Sequence, residues 1–350
     1  MNRLARYCLT ALAIAVCCSC QHKRKYFPSL DGADVRFVRF DSALLSVRPD
    51  SAAQDIRGLY EAYPTFMPVF VEDILGFNGF DHTLFTEPGA APSPDASALE
   101  NALTGFLTDT VYNFAYTNRQ EQELFADVSD IEKPLRAAFA RIHWLYPDWE
   151  TPVLYLFVSG FQSAVYFTED GLAVGADMYL GADYPYYRQV VYQYQLQTMR
   201  KECIPVDVAS AWLFSHIAYT SPKNRLLDQM VYRGKVMYLL SRIFDYLPGY
   251  EVMGYTKEQW EWCEYHERAI WHRMMDRRDL FRTEQRLMSS YLNDGPFTSE
   301  ISQESPGRVG TWMGWRIVES YMEHNDTVPL QSLMEMNDAQ LILEGSYYKP

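Results

Sequence analysis

Residues 152–181, PVLYLFVSGFQSAVYFTEDGLAVGADMYLG, decide the fold. Val, Leu, Tyr and Phe crowd the stretch, Gly160 interrupts it and Asp170-Gly171 is a turn pair, so it reads as a meander of about three short strands. Working outward, residues 99–146 are helical in character, and EKPLRAAFARIHWLYP spaces its apolar side chains by three and four. Earlier still, VRFVRFDSALLSV reads as an extended segment leading into helix. After residue 181 the chain is helical almost to its end. Helices, a small sheet, then helices make an α+β fold that is predominantly helical.

The N-terminus bears on location. MNRLARYCLTALAIAVCCSC places two arginines before an apolar run from Tyr7 to Val16 and a cysteine cluster, the layout of a secretory signal. The run is short for a membrane span, which needs about 20 apolar residues. A leader ending in cysteine behind a small residue is a lipoprotein pattern, and Ser19 before Cys20 makes Cys20 the lipidated residue. The expected organisation is a signal peptide over 1–19, a polar basic tether over 20–34 and one globular domain over 35–350. The Pro-, Gly- and Ser-rich stretch TEPGAAPSPDASALE, residues 86–100, reads as a surface excursion within that domain. The formal charge is −14, an acidic balance that argues against nucleic acid as a partner. Cys203 and Cys263 are too few for a disulfide framework and read as two buried free thiols, with a single bridge between them the alternative.

Two helices carry arginine and glycine together. In LLDQMVYRGKVMYLL, residues 226–240, Leu226, Leu227, Met230, Met237, Tyr238 and Leu240 share a broad face, while Asp228, Tyr232, Lys235 and Arg242 form a stripe opposite. Gly234 lies in the apolar face, where the absence of a side chain suits close backbone packing. Arg233 falls in the same arc. It needs a carboxylate partner such as Glu267, a snorkelling path to water, or an anionic ligand. In SPGRVGTWMGWRIVESYM, Ser305 and Pro306 read as the helix start, Gly310 and Gly314 give a smooth face, and Arg308 stands where an anion would be favoured.

The chain resembles the gliding motility-associated lipoprotein GldB family of the Bacteroidetes over nearly all of its mature sequence. VRFVRFDSALL, YPTFMPVFVEDILG, GADMYLGADYPYY, LLDQMVYRGKVMYLL, GYTKEQWEWC, GPFTSEISQESPGRVGTWMGWRIVESYM and LILEGSYYKP carry the resemblance. It implies an envelope lipoprotein required for surface gliding, a process linked to a dedicated outer-membrane secretion machine. More distantly, the order of sheet and helices is similar to gluzincin-type zinc metallopeptidases. There Arg233 stands before Gly234 in place of a glutamate ligand, and VDVASAWLFSHIAY carries Asp207 and His216 without H-E-x-x-H.

No metal or other cofactor is expected, because in CEYHERAIWH the side chain of His272 falls nearly opposite Cys263 and His266. Glu267 joins the stripe of Trp260, Cys263, Ile270 and Met274 as a candidate buried carboxylate. GADMYLGADYPYY, with Asp177, Tyr179 and Asp183 among tyrosines, suits contact with a peptide or protein partner, or a tyrosine-lined corner packing the sheet. The candidate cleft therefore comprises Asp177, Tyr179, Asp183, Asp207, Asp228, Arg233, Lys235, Glu267 and Arg308, with no residue assigned as catalytic. The resulting expectation is a non-catalytic binding or scaffolding lipoprotein, anchored in the membrane through its lipid, facing the periplasm from the outer membrane and engaging envelope proteins. The alternative is a hydrolase with an unconventional site using Asp177, Asp207 or Glu267.

Overall fold

The computed structural model describes residues 26–87, 93–108 and 114–350, so the leader, Cys20 and the start of the tether lie outside the described residues. Residues 31–350 cluster as one compact unit. Four strands form one sheet: β1 (Arg36–Arg39), β2 (Val153–Phe157), β3 (Val165–Phe167) and β4 (Gly171–Gly175). The helices that matter most are α1 (Phe40–Leu45), α2 (Ala52–Ala62), α3 (Pro94–Thr108), α4 (Phe114–Leu124), α5 (Ser129–Leu145), α6 (Ile204–His216), α7 (Leu226–Ile243), α8 (Lys257–Asp276), α9 (Val309–His324), α10 (Leu330–Glu335) and α11 (Ala339–Ser346). The architecture is the helix-dominated α+β arrangement that the sequence announces.

The sheet is not a meander. Its order is β1-β2-β4-β3, with β1 parallel to β2, β2 parallel to β4, and only β3 antiparallel to β4. Burial explains the order: every residue of β4 is buried, which suits a central strand, whereas β3 ends on Phe167, 51% exposed at an edge. Alternating apolar residues reveal strands, but the order depends on which strand buries both faces. The crossover from β1 to β2 runs through α1–α5, since parallel neighbours need a long connection. Phe40 and Phe66 meet edge to face at 4.8 Å, and Phe66 stacks on Tyr155 of β2 at 4.6 Å, sealing the core on that side.

The excursion expected over 86–100 is shorter than the composition suggests, because α3 begins at Pro94; a proline in the first helical turn removes an N–H that would have no partner there. Residues 88–92 lie outside the described residues.

Helix α7 is the axis of the C-terminal half, packed by α6, α9, α10 and α11. Its expected polar stripe is only partly exposed: Asp228 and Lys235 are buried, while Tyr232 and Arg242 are half-buried. Gly234 explains the closest of these contacts. A Cβ there would sit 2.2 Å from the Gly314 carbonyl carbon, and one on Gly314 would sit 1.9 Å from the Met230 carbonyl oxygen, so α7 and α9 touch backbone to backbone. Helix α9 starts at Val309, later than Ser305 and Pro306 imply. The Ser305 hydroxyl is instead drawn into the preceding loop, where it donates to the Ser302 carbonyl at 2.6 Å and accepts the Thr298 N–H at 3.0 Å. Arg308 becomes the N-cap, in the left-handed region at φ 58°.

Candidate binding cleft

A cleft of about 270 Å³ opens between the loop following β4, the N-terminal turn of α6 and the loop leading into α9. Pro205 is pre-organised for the start of α6, and Asp207 follows in the first turn, where the helix dipole favours a negative charge. Tyr179 comes from the short turn after β4 and is buried. Its hydroxyl donates to Asp207 Oδ2 at 2.9 Å, the one hydrogen bond that the Asp207 side chain makes among the described residues. Asp207 lines the cleft, and its Oδ1 has no hydrogen-bond partner among the described residues. Burial pushes the Asp207 carboxyl up to about 6, against the opposing pull of Tyr179 and Arg308. Burial, reinforced by Asp207, raises the Tyr179 phenol well above its ordinary value, so it remains a donor.

The walls are held by polar groups that bond to each other. Arg308 Nε pairs with Asp294 Oδ1 at 2.8 Å, and its Nη2 donates to the Met253 carbonyl at 2.5 Å. Gly254, at φ 71°, permits this approach, since a Cβ there would lie 3.2 Å from the guanidinium and 3.1 Å from Thr198. Gln197 Nε2 donates to the Gly254 carbonyl at 2.9 Å and to Gln259 Oε1 at 3.1 Å, tying the opposite wall to the capped start of α8. Met178, Val206, Met237 and Met253 supply apolar surface, and the half-buried Glu251 adds a further carboxylate.

Of the residues singled out from sequence, Tyr179, Asp207 and Arg308 line this cleft. Arg308 pairs with Asp294 on the rim. Asp177 lies behind the cleft: it accepts the Ser159 N–H at 2.8 Å and the Phe161 N–H at 2.6 Å, so it braces the loop after β2. These bonds oppose the burial that raises its carboxyl. Asp183 is exposed outside it. Asp228 accepts from its own N-cap, Arg225, at 2.9 Å, and Lys235 donates to the carbonyls of Met334 and Met336 at 2.9 and 2.6 Å; both border a different, shallow recess. Burial lowers the Lys235 ammonium to about 8.

Arg233 and Glu267 do not meet. Arg233 donates to the Leu292 carbonyl at 3.0 Å, while Glu267 takes Arg316 Nε at 3.1 Å and the Tyr348 hydroxyl at 2.5 Å. Arg233 thereby fixes the start of the loop that carries Asp294 and Arg308. Helical projection finds its buried arc but cannot supply a backbone carbonyl from 59 residues away as the acceptor.

Cys203 lines the cleft as a free thiol, and burial, with Asp207 contributing, pushes it up to about 12. His216 is at the far end of α6, roughly 20 Å along the helix axis, where it contacts the Trp212 carbonyl. Among the described residues no three His, Cys, Asp or Glu side chains come together as a metal-ligand set. Sequence reasoning missed Asp294, Glu251 and Gln197, which sit in loops and short turns with no distinguishing local pattern. It also missed Glu121, buried on α4, whose carboxyl oxygens have no hydrogen-bond partner among the described residues and whose acid is pushed well up by burial and by Asp177. Residues 99–146 read only as helical in character, which singles out no carboxylate among them.

Fold and cleft define a helix-rich α+β protein with a carboxyl-lined recess at the junction of a small sheet and a helical half. Over residues 23–350 the chain matches the family model described as gliding motility protein GldB, and it belongs to that family of gliding motility-associated lipoproteins of the cell envelope. Neither a curated protein nor a solved structure matches it.

Proposed function

We propose that this protein is a non-catalytic component of the gliding or outer-membrane machinery, anchored through Cys20 and facing the periplasm, that binds part of an envelope partner in the Asp207 cleft. The observation that carries this reading is the state of Asp207: it lines a preformed recess, one oxygen accepts from Tyr179 and the other has no partner among the described residues, while the walls are braced by the bonds of Arg308 and Gln197. Braced walls reduce the ordering cost of binding. In this reading the distant likeness to gluzincin peptidases reflects a cleft turned from hydrolysis to recognition.

A photo-crosslinking residue at Ser210, which lines the cleft, tests the reading in living cells. The expected result is a discrete adduct with an envelope protein, absent when the same residue is placed at Asp183. Peptide hydrolysis by the purified protein, abolished in Asp207→Asn, would overturn it.

A second reading has one specific observation in its favour. A carboxyl with its value near 6, hydrogen-bonded to a phenol, is suited to proton transfer. As a hydrolase the protein would use Asp207 as general acid or base, and the hydrolysis assay separates the two readings.

A further inference from the structure

We propose that the occupant of the cleft is a single cationic side chain, lysine or arginine, of a partner polypeptide, with its charged head on Asp207 Oδ1 and its stem along the apolar wall. The inference rests on the binding reading above and specifies the ligand chemistry. Three carboxylates, Asp207, Glu251 and Asp294, border the recess against Arg308 alone, whose guanidinium is committed to Asp294 and the Met253 carbonyl. An anion would meet net repulsion; a cation completes the set. The lining combines these carboxylates with the apolar side chains Met178, Val206 and Met237, which suits a side chain that is apolar along its length and charged at its tip. At the mouth Tyr194 lines the cleft and stacks on Tyr192, rings 5.7 Å apart and 9° from parallel, with Tyr192 71% exposed. Such a pair offers an aromatic face to a passing cation and to the adjoining peptide backbone.

Tripeptides test this directly: N-acetyl-Gly-Lys-Gly-amide, its arginine counterpart and its norleucine counterpart, titrated calorimetrically into the purified lipoprotein in detergent. Lysine and arginine peptides are expected to bind at least tenfold more tightly than the norleucine peptide, which keeps the stem and lacks the charge. Asp207→Asn should erase that preference, whereas Asp183→Asn, outside the cleft, should leave it intact. Ser210→Lys, one helical turn from Asp207, places an internal cation in the recess and should block the lysine peptide even if Asp207→Asn folds poorly. Equal binding of the norleucine peptide, unaltered binding to Asp207→Asn, or no binding of any of the three overturns the proposal. If it fails while the Ser210 crosslink to an envelope protein persists, partner binding stands and only the ligand chemistry is wrong. Turnover without a crosslink rejects the binding reading itself.

Discussion

At Asp207 the requirements of folding and binding oppose one another. The buried Asp207 carboxyl is held protonated more strongly in the folded chain than in the unfolded one, about 6 against an ordinary 3.8. The folded state therefore keeps its proton-linked stability below the unfolded value and loses it as pH rises through about 6. Asp207→Asn should consequently stabilise the protein at neutral pH by about 1–3 kcal/mol and have little effect near pH 4. Urea denaturation at the two pH values checks this, and destabilisation at neutral pH would contradict the burial argument. Gain of stability with loss of the cation preference would mark a residue kept for its function. Tyr179→Phe removes the one hydrogen-bond donor to the Asp207 side chain among the described residues, and should cost about 1–2 kcal/mol at neutral pH, read from the same urea curves.

The elements are held by two devices that simple amphipathicity does not describe. The α7–α9 contact depends on Gly234 and Gly314, whose missing Cβ atoms would otherwise run into main-chain atoms rather than flexible side-chain ends. Gly314→Ala should cost about 3 kcal/mol or more, because two helix backbones must separate to admit one methyl; the urea midpoint reports it. The second device is Lys235, which reaches from α7 to the carbonyls of Met334 and Met336 at the end of α10. Lys235→Met keeps the stem and leaves both carbonyls without their donor, for an expected loss of about 1–3 kcal/mol. Hydrogen exchange should show that loss concentrated between residues 330 and 346, and protection unchanged there would refute the anchoring role.

Across the whole molecule, charged groups cross-link helices far apart in sequence. Arg316 of α9 joins Glu267 of α8 to Glu319, Glu319 lies 3.6 Å from Arg242 of α7, and Tyr348 near the C-terminus closes on Glu267. Membership in a lipoprotein family bears on the remainder, since among the described residues no helix is long and apolar enough to cross a membrane. Anchorage through Cys20 predicts that Cys20→Ser moves the protein from the membrane to the soluble fraction and abolishes labelling by radioactive palmitate. Retention of both would place the anchor elsewhere.

The sequence by itself determined the class of fold, because apolar spacing changes from three and four to strand-like runs between residues 146 and 152, and burial follows that spacing. It also marked the two glycines that set the α7–α9 distance, and placed Tyr179, Asp207 and Arg308 among the candidates. Only the tertiary structure decided which candidates share a site. Asp228 and Glu267 carry the same carboxyl chemistry as Asp207, and Lys235 is a buried charge of opposite sign, yet each is consumed by its own partner: a helix cap, an arginine and a phenol, or two carbonyls. The partners of Lys235 and Glu267 lie on other elements, and no periodicity along one helix encodes them. Strand order was decided the same way, since β4 is central only because both of its faces find neighbours. Local pattern specifies which faces must be buried; long-range packing specifies against what.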